Sequence, residues 1–111
     1  MRSGNELTIN GKDSIYRDFE ILNSNPVRNA NNSNTQDAPA GRGTVHIINT
    51  NNNLINLRIH DLANGILTNN SAQGTLIYGC LIYNNGYGAL AHPEIFLGHG
   101  IYTQNSSGTF H

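Results

Sequence analysis

Three stretches of this chain align without a gap: Tyr16-Arg17-Asp18-Phe19-Glu20-Ile21-Leu22-Asn23, Leu54-Ile55-Asn56-Leu57-Arg58-Ile59-His60-Asp61 and Ile77-Tyr78-Gly79-Cys80-Leu81-Ile82-Tyr83-Asn84. The shared pattern is apolar, two variable residues, apolar, variable, Ile, variable, Asn or Asp. Phe19, Leu57 and Cys80 form one column, Ile21, Ile59 and Ile82 a second, and Asn23, Asp61 and Asn84 a third. An internal repeat constrains a fold strongly, because each unit must offer its neighbours the same face.

A second block alternates with the first. Gly65-Ile66-Leu67-Thr68-Asn69-Asn70 matches Gly100-Ile101-Tyr102-Thr103-Gln104-Asn105, and Gly43-Thr44-Val45-His46-Ile47 is a weaker relative. The repeat unit therefore holds at least two short strands. Ile59 and Ile82 lie 23 positions apart, within the range of about 20 to 50 for solenoid units. That length suits one turn of three short strands and three corners. Successive turns then stack in parallel roughly 4.8 Å apart, with Ile over Ile and Asn over Asn. The predicted fold is an all-β, single-stranded parallel β-helix of about three to four coils, with residues 1–111 forming one partial domain.

Longer intervals, 38 positions from Ile21 to Ile59 and 35 from Gly65 to Gly100, predict insert loops at about 24–42 and 86–98. A leucine-rich repeat fails for want of a helical period. Asn10-Gly11, Asn64-Gly65 and Asn85-Gly86 are possible hairpin turns, but matched neighbouring strands favour parallel stacking. Phe110-His111 falls where another strand is due and little caps the first coil, so a piece of a longer solenoid is expected.

Composition agrees. Charged residues are 12% of the chain, against about 25% in ordinary domains. Asparagine, about one residue in six, suits turns and stacked ladders. The net charge of −1 argues against a nucleic-acid partner, which prefers a basic face. No apolar run is long enough for a membrane span, and Met1–Gly11 has no signal-peptide core. Cys80 occupies an apolar repeat position and is expected as a buried thiol.

These motifs resemble the coils of parallel β-helix repeat proteins in the pectate-lyase-like superfamily, from about Leu7 to His111. "Asn-Leu-Ile-Asn-Leu-Arg-Ile-His-Asp" (residues 53–61) followed by "Asn-Gly-Ile" and "Ile-Tyr-Gly-Cys-Leu-Ile-Tyr-Asn-Asn-Gly" (residues 77–86) are typical of them. The resemblance implies a right-handed helix, an extracellular or cell-surface setting and a polysaccharide partner. It implies either a uronate-polysaccharide lyase or a non-catalytic structural, adhesive or carbohydrate-binding protein. Calcium enters by family analogy alone.

Outward positions carry any chemistry. Glu20, Arg58 and Leu81 share one outward column, and Leu22, His60 and Tyr83 the next. Glu20 and Arg58 are expected to form a surface salt bridge; Arg58 is alternatively placed to pair a uronate carboxylate. A lyase needs that carboxylate neutralised and a base for the α-proton, roles open to Arg58, His60 and Tyr83. His99, in Gly98-His99-Gly100, resembles a short motif of β-helix polygalacturonases, but the paired carboxylates of a hydrolase are not apparent; otherwise it fixes the turn before Gly100. Tyr78, Tyr102 and His99 are the candidates for stacking on sugar rings, with Tyr83, Tyr87 and His60 grouped beside them. Ile101 should point inward and Tyr102 outward. His92, Glu94 and His99 share one insert but lack compact zinc spacing, so no metal site is assigned. The column Asn23, Asp61 and Asn84 is expected as a ladder sealing a turn.

Overall fold

The computed structural model describes residues 7–24, 43–85 and 99–111. All their regular structure is strand, in ten three-residue segments: β1 (Leu7–Ile9), β2 (Ile15–Arg17), β3 (Glu20–Leu22), β4 (Val45–Ile47), β5 (Asn53–Ile55), β6 (Arg58–His60), β7 (Ile66–Thr68), β8 (Leu76–Tyr78), β9 (Leu81–Tyr83) and β10 (Ile101–Thr103). They form three parallel sheets: sheet A in the order β1-β4-β7-β10, sheet B β2-β5-β8 and sheet C β3-β6-β9. Each sheet takes every third strand of the chain, the arrangement of a parallel β-solenoid.

The expected columns appear as strand register. Ile21 pairs with Ile59, and Ile59 with Ile82. Val45 pairs with Ile66, and Ile66 with Ile101. The unit has three strands, as its length suggests, and the first block straddles two of them. Tyr16 lies in β2, Asp18 and Phe19 turn the corner, and Glu20 opens β3. Sheets B and C bury the central residue of a strand, as in β5 and β3; β4 and β7 of sheet A bury the two outer residues.

The corners explain how such short strands stay in register. Asp13, Asn51 and Gly74 occupy one corner column with φ of 54°, 57° and 67°; Asp18, Asn56 and Gly79 occupy another with 62°, 53° and 65°. The left-handed conformation costs most residues about 1–2 kcal/mol but is open to Asn, Asp and Gly. The Asn51 amide donates to Asp13 Oδ1 at 2.9 Å, and the Asn56 amide to Asp18 Oδ1 at 3.2 Å. The third member is glycine for a steric reason: a Cβ on Gly74 or Gly79 would collide with the side-chain oxygen of Asn51 or Asn56.

In the column expected as a ladder, Asn23-Asp61-Asn84, Asp61 and Asn84 take positive φ, 57° and 50°, and a carboxylate oxygen of Asp61 is turned onto His60. Asn85, one residue on, also serves this corner. Its oxygen accepts from Leu62 N at 3.0 Å and its amide donates to Ile59 O at 3.2 Å, satisfying two backbone groups of the adjacent coil at once.

Ile9, Val45, Ile47, Leu54, Leu57, Ile59, Leu62 and Ile66 form the core, all nearly or fully buried. One expectation needs correction. Cys80 is half-buried, with Leu57 N donating to its sulfur at 3.4 Å and its thiol facing Leu54 O at 3.5 Å, so it seals a corner as well as packing. Ile101 takes the inward register position of the buried Ile66, as expected, yet is 41% exposed; no described strand lies beyond β10.

Both expected inserts join a sheet C strand to a sheet A strand, β3 to β4 and β9 to β10, whereas β6 reaches β7 through residues 61–65 alone. The inserts themselves lie outside the described residues, apart from Ser24.

Burial sets the expected mutational contrast. Ile59→Ala should lower unfolding free energy by about 2–5 kcal/mol. Leu22→Ala, at a position 41% exposed, should change it by about 0.5 kcal/mol or less. Equilibrium urea denaturation of both variants checks this.

Candidate functional site

The inward placement of Ile21, Ile59 and Ile82 turns their strand neighbours outward. On sheet C this brings Glu20, Arg58, His60 and Tyr83 onto one face across three coils. His60 is the centre of this group. Its Nδ1 lies 2.6 Å from Asp61 Oδ2 and its Nε2 3.1 Å from Glu20 Oε1. Two carboxylates facing both ring nitrogens are best met by an imidazolium donating to each. The His60 pKa is raised above 6.5, first by the Asp61 hydrogen bond and then by Glu20, against the opposing effect of burial.

The Tyr83 ring stacks on the imidazole with centroids 4.6 Å apart and planes 13° from parallel. With Glu20 and Asp61 at its edges, the outward His60 is left only 8% exposed, while Tyr83 itself is 44% exposed. A tyrosine face over a cation adds an electrostatic attraction to the packing.

The expected Glu20–Arg58 pair is present but loose. Arg58 Nη1 stands 4.0 Å from the Glu20 oxygen that His60 holds at 3.1 Å. The Arg58 side chain is largely exposed and free to meet a ligand. Beneath it lies an open cleft of about 330 Å³ lined by Asp18, Phe19, Glu20, Asn56 and Arg58. The Asp18 carboxyl is held below its usual range by hydrogen bonds from Arg17 and Asn56.

The other candidates do not join this group. Tyr78 is 67% exposed but stands on sheet B. His99 and Tyr102 stack on each other, centroids 5.0 Å apart, beside sheet A. His99 fixes the turn through its backbone: its N donates to Asn64 Oδ1 at 3.1 Å and its carbonyl accepts from Gly65 N at 2.9 Å. Tyr87, His92 and Glu94 lie outside the described residues. Among the described residues, no group of three or more His, Cys, Asp or Glu could hold a metal ion, and no helix is long and apolar enough to cross a membrane.

Asp61 and Glu20 are the partners that sequence reasoning missed. A signal existed for both. Asp61 adjoins His60, and Glu20 sits two residues before Leu22, the register partner of His60, within diagonal reach of a long side chain.

Chemically, His60 is poorly suited to abstract a proton. Its ring is shielded and bound at both nitrogens, and the two carboxylates favour its protonated form. Arg58 and Tyr83 remain accessible, one cationic and one aromatic. Comparison with family models, curated proteins and solved structures finds no match to this chain.

The raised pKa has a signed consequence. A base whose pKa rises on folding contributes stability that is fully present below its unfolded value, near 6.5, and lost as pH climbs through the folded value. Proton NMR titration of His60 should give a midpoint above 6.5. His60→Gln should flatten the decline of thermal stability across that range. A midpoint at or below the ordinary histidine value would contradict the double-carboxylate clamp.

Proposed function

We propose that this chain forms coils of a right-handed parallel β-helix, of the pectate-lyase-like kind, that engages extracellular polysaccharide on the outer face of sheet C. Parallel strands linked by crossovers are right-handed in about 98% of cases, which supports the hand. The observation that carries the binding reading is the exposed Tyr83 ring, backed by His60 and set on the same face as the exposed Arg58 guanidinium. A flat aromatic surface beside fixed polar groups suits a sugar ring: its apolar face meets the aromatic ring and its hydroxyls meet the polar groups.

Non-catalytic binding is the better-supported form of this reading. A lyase needs an accessible base beside the sugar, and both ring nitrogens of the buried His60 are taken by carboxylates. Uronate lyase chemistry is the second reading, favoured by one observation: Arg58 and Tyr83 are both accessible on this face, one able to pair a carboxylate and the other bearing a phenol.

Incubating the chain with alginate, pectate and chondroitin separates these readings. The binding reading expects a calorimetric or glycan-array signal with a polysaccharide, weakened by Tyr83→Ala and by Arg58→Ala, and no rise in absorbance from an unsaturated product. Appearance of that product, abolished in Tyr83→Phe, would move the assignment to the lyase. Absence of binding to any glycan would remove both.

A further inference from the structure

The chain carries three Asn-Gly pairs, at 10–11, 64–65 and 85–86. Such a pair has a chemistry of its own. The glycine nitrogen, unshielded by a side chain, can attack the asparagine Cγ. That requires a free nitrogen and a side chain able to turn toward it.

The fold treats the three pairs differently. At Asn64, the side-chain oxygen accepts from His99 N at 3.1 Å, and the nucleophile, Gly65 N, is bound to His99 O at 2.9 Å within the buried corner. At Asn85, both ends of the amide are pinned to the neighbouring coil, by Leu62 N and Ile59 O. Asn10 and Gly11 are both exposed. There the Asn49 amide donates to Asn10 Oδ1 at 3.0 Å and to Asn10 O at 2.6 Å. A donor on Oδ1 makes Cγ more electrophilic and stabilises the oxyanion formed by attack. Among the described residues, neither Asn10 Nδ2, the leaving group, nor Gly11 N has a hydrogen-bond partner.

We propose that Asn10-Gly11 is a site of spontaneous modification, where the folded protein deamidates while Asn64 and Asn85 are protected. The Gly11 nitrogen bonds to Asn10 Cγ, the Cγ–Nδ2 bond breaks, and ammonia departs carrying the Gly11 amide proton. Water then opens the succinimide. Cleavage at Cγ yields Asp, and cleavage at the main-chain carbonyl yields isoaspartate. The Asp product keeps an acceptor for Asn49. The isoaspartate product adds a backbone carbon to the β1–β2 corner, which also carries the Asp13–Asn51 hydrogen bond.

The test is to age the chain in mildly alkaline buffer, folded and in urea, and to measure conversion at each site by peptide mass spectrometry. In the folded sample Asn10 should convert several-fold faster than Asn64 and Asn85; in urea the three should be comparable. Gly11→Ala should slow Asn10 several-fold. The added Cβ meets Ser14 Oγ at 3.4 Å and nothing closer, and an unchanged circular dichroism spectrum verifies folding. Equal conversion at the three sites in the folded protein, an Asn10 stable when folded, or an unslowed Gly11→Ala would each overturn the proposal.

Discussion

Everything in this molecule depends on the return of the chain to the same lateral position on each coil. Parallel strands of three residues make too few backbone hydrogen bonds to fix their own register. The corners supply the missing constraint. Left-handed residues at Asp13, Asn51, Asp18 and Asn56 turn the backbone where glycine is not used. Their side chains then bond to the same position one coil away. Register is thus set by amide and carboxylate groups at the corners between the sheets. The core of Leu54, Leu57 and Ile59 is stacked as a consequence.

The same logic produces the candidate site. A residue on sheet C has its own coil on either side along the strand and other coils above and below. His60 uses three of these directions: Asp61 along its own coil, Glu20 on one neighbouring coil and Tyr83 on the other. The clamp therefore ties three coils through one ring. It also leaves an accessible aromatic face on the same sheet as an exposed guanidinium.

Legibility in the sequence followed physical range. The column of Ile21, Ile59 and Ile82 could be read because a core position tolerates few residue types and recurs at coil spacing. The corner column of Asp18, Asn56 and Gly79 was harder to read, because it looks like three unrelated residues in a variable column. What they share is a backbone conformation, which no hydropathy pattern displays. The Glu20–His60 contact spans 40 positions and runs diagonally between columns, so alignment alone passes over it. Tyr78 was grouped with Tyr83 because both look exposed in a linear reading; a corner between them sends one to sheet B and the other to sheet C.

The corner columns also give the stack an arrow. Along the chain two of them run Asp, then Asn, then Gly, and that sequence of types is not reversible: the amide needs an acceptor on the earlier coil and its oxygen an absent side chain on the later one. Coils of similar shape are consequently not interchangeable. Exchanging the second coil with the third would part each asparagine amide from its carboxylate acceptor, so the order of coils is written into their edges as firmly as their spacing is.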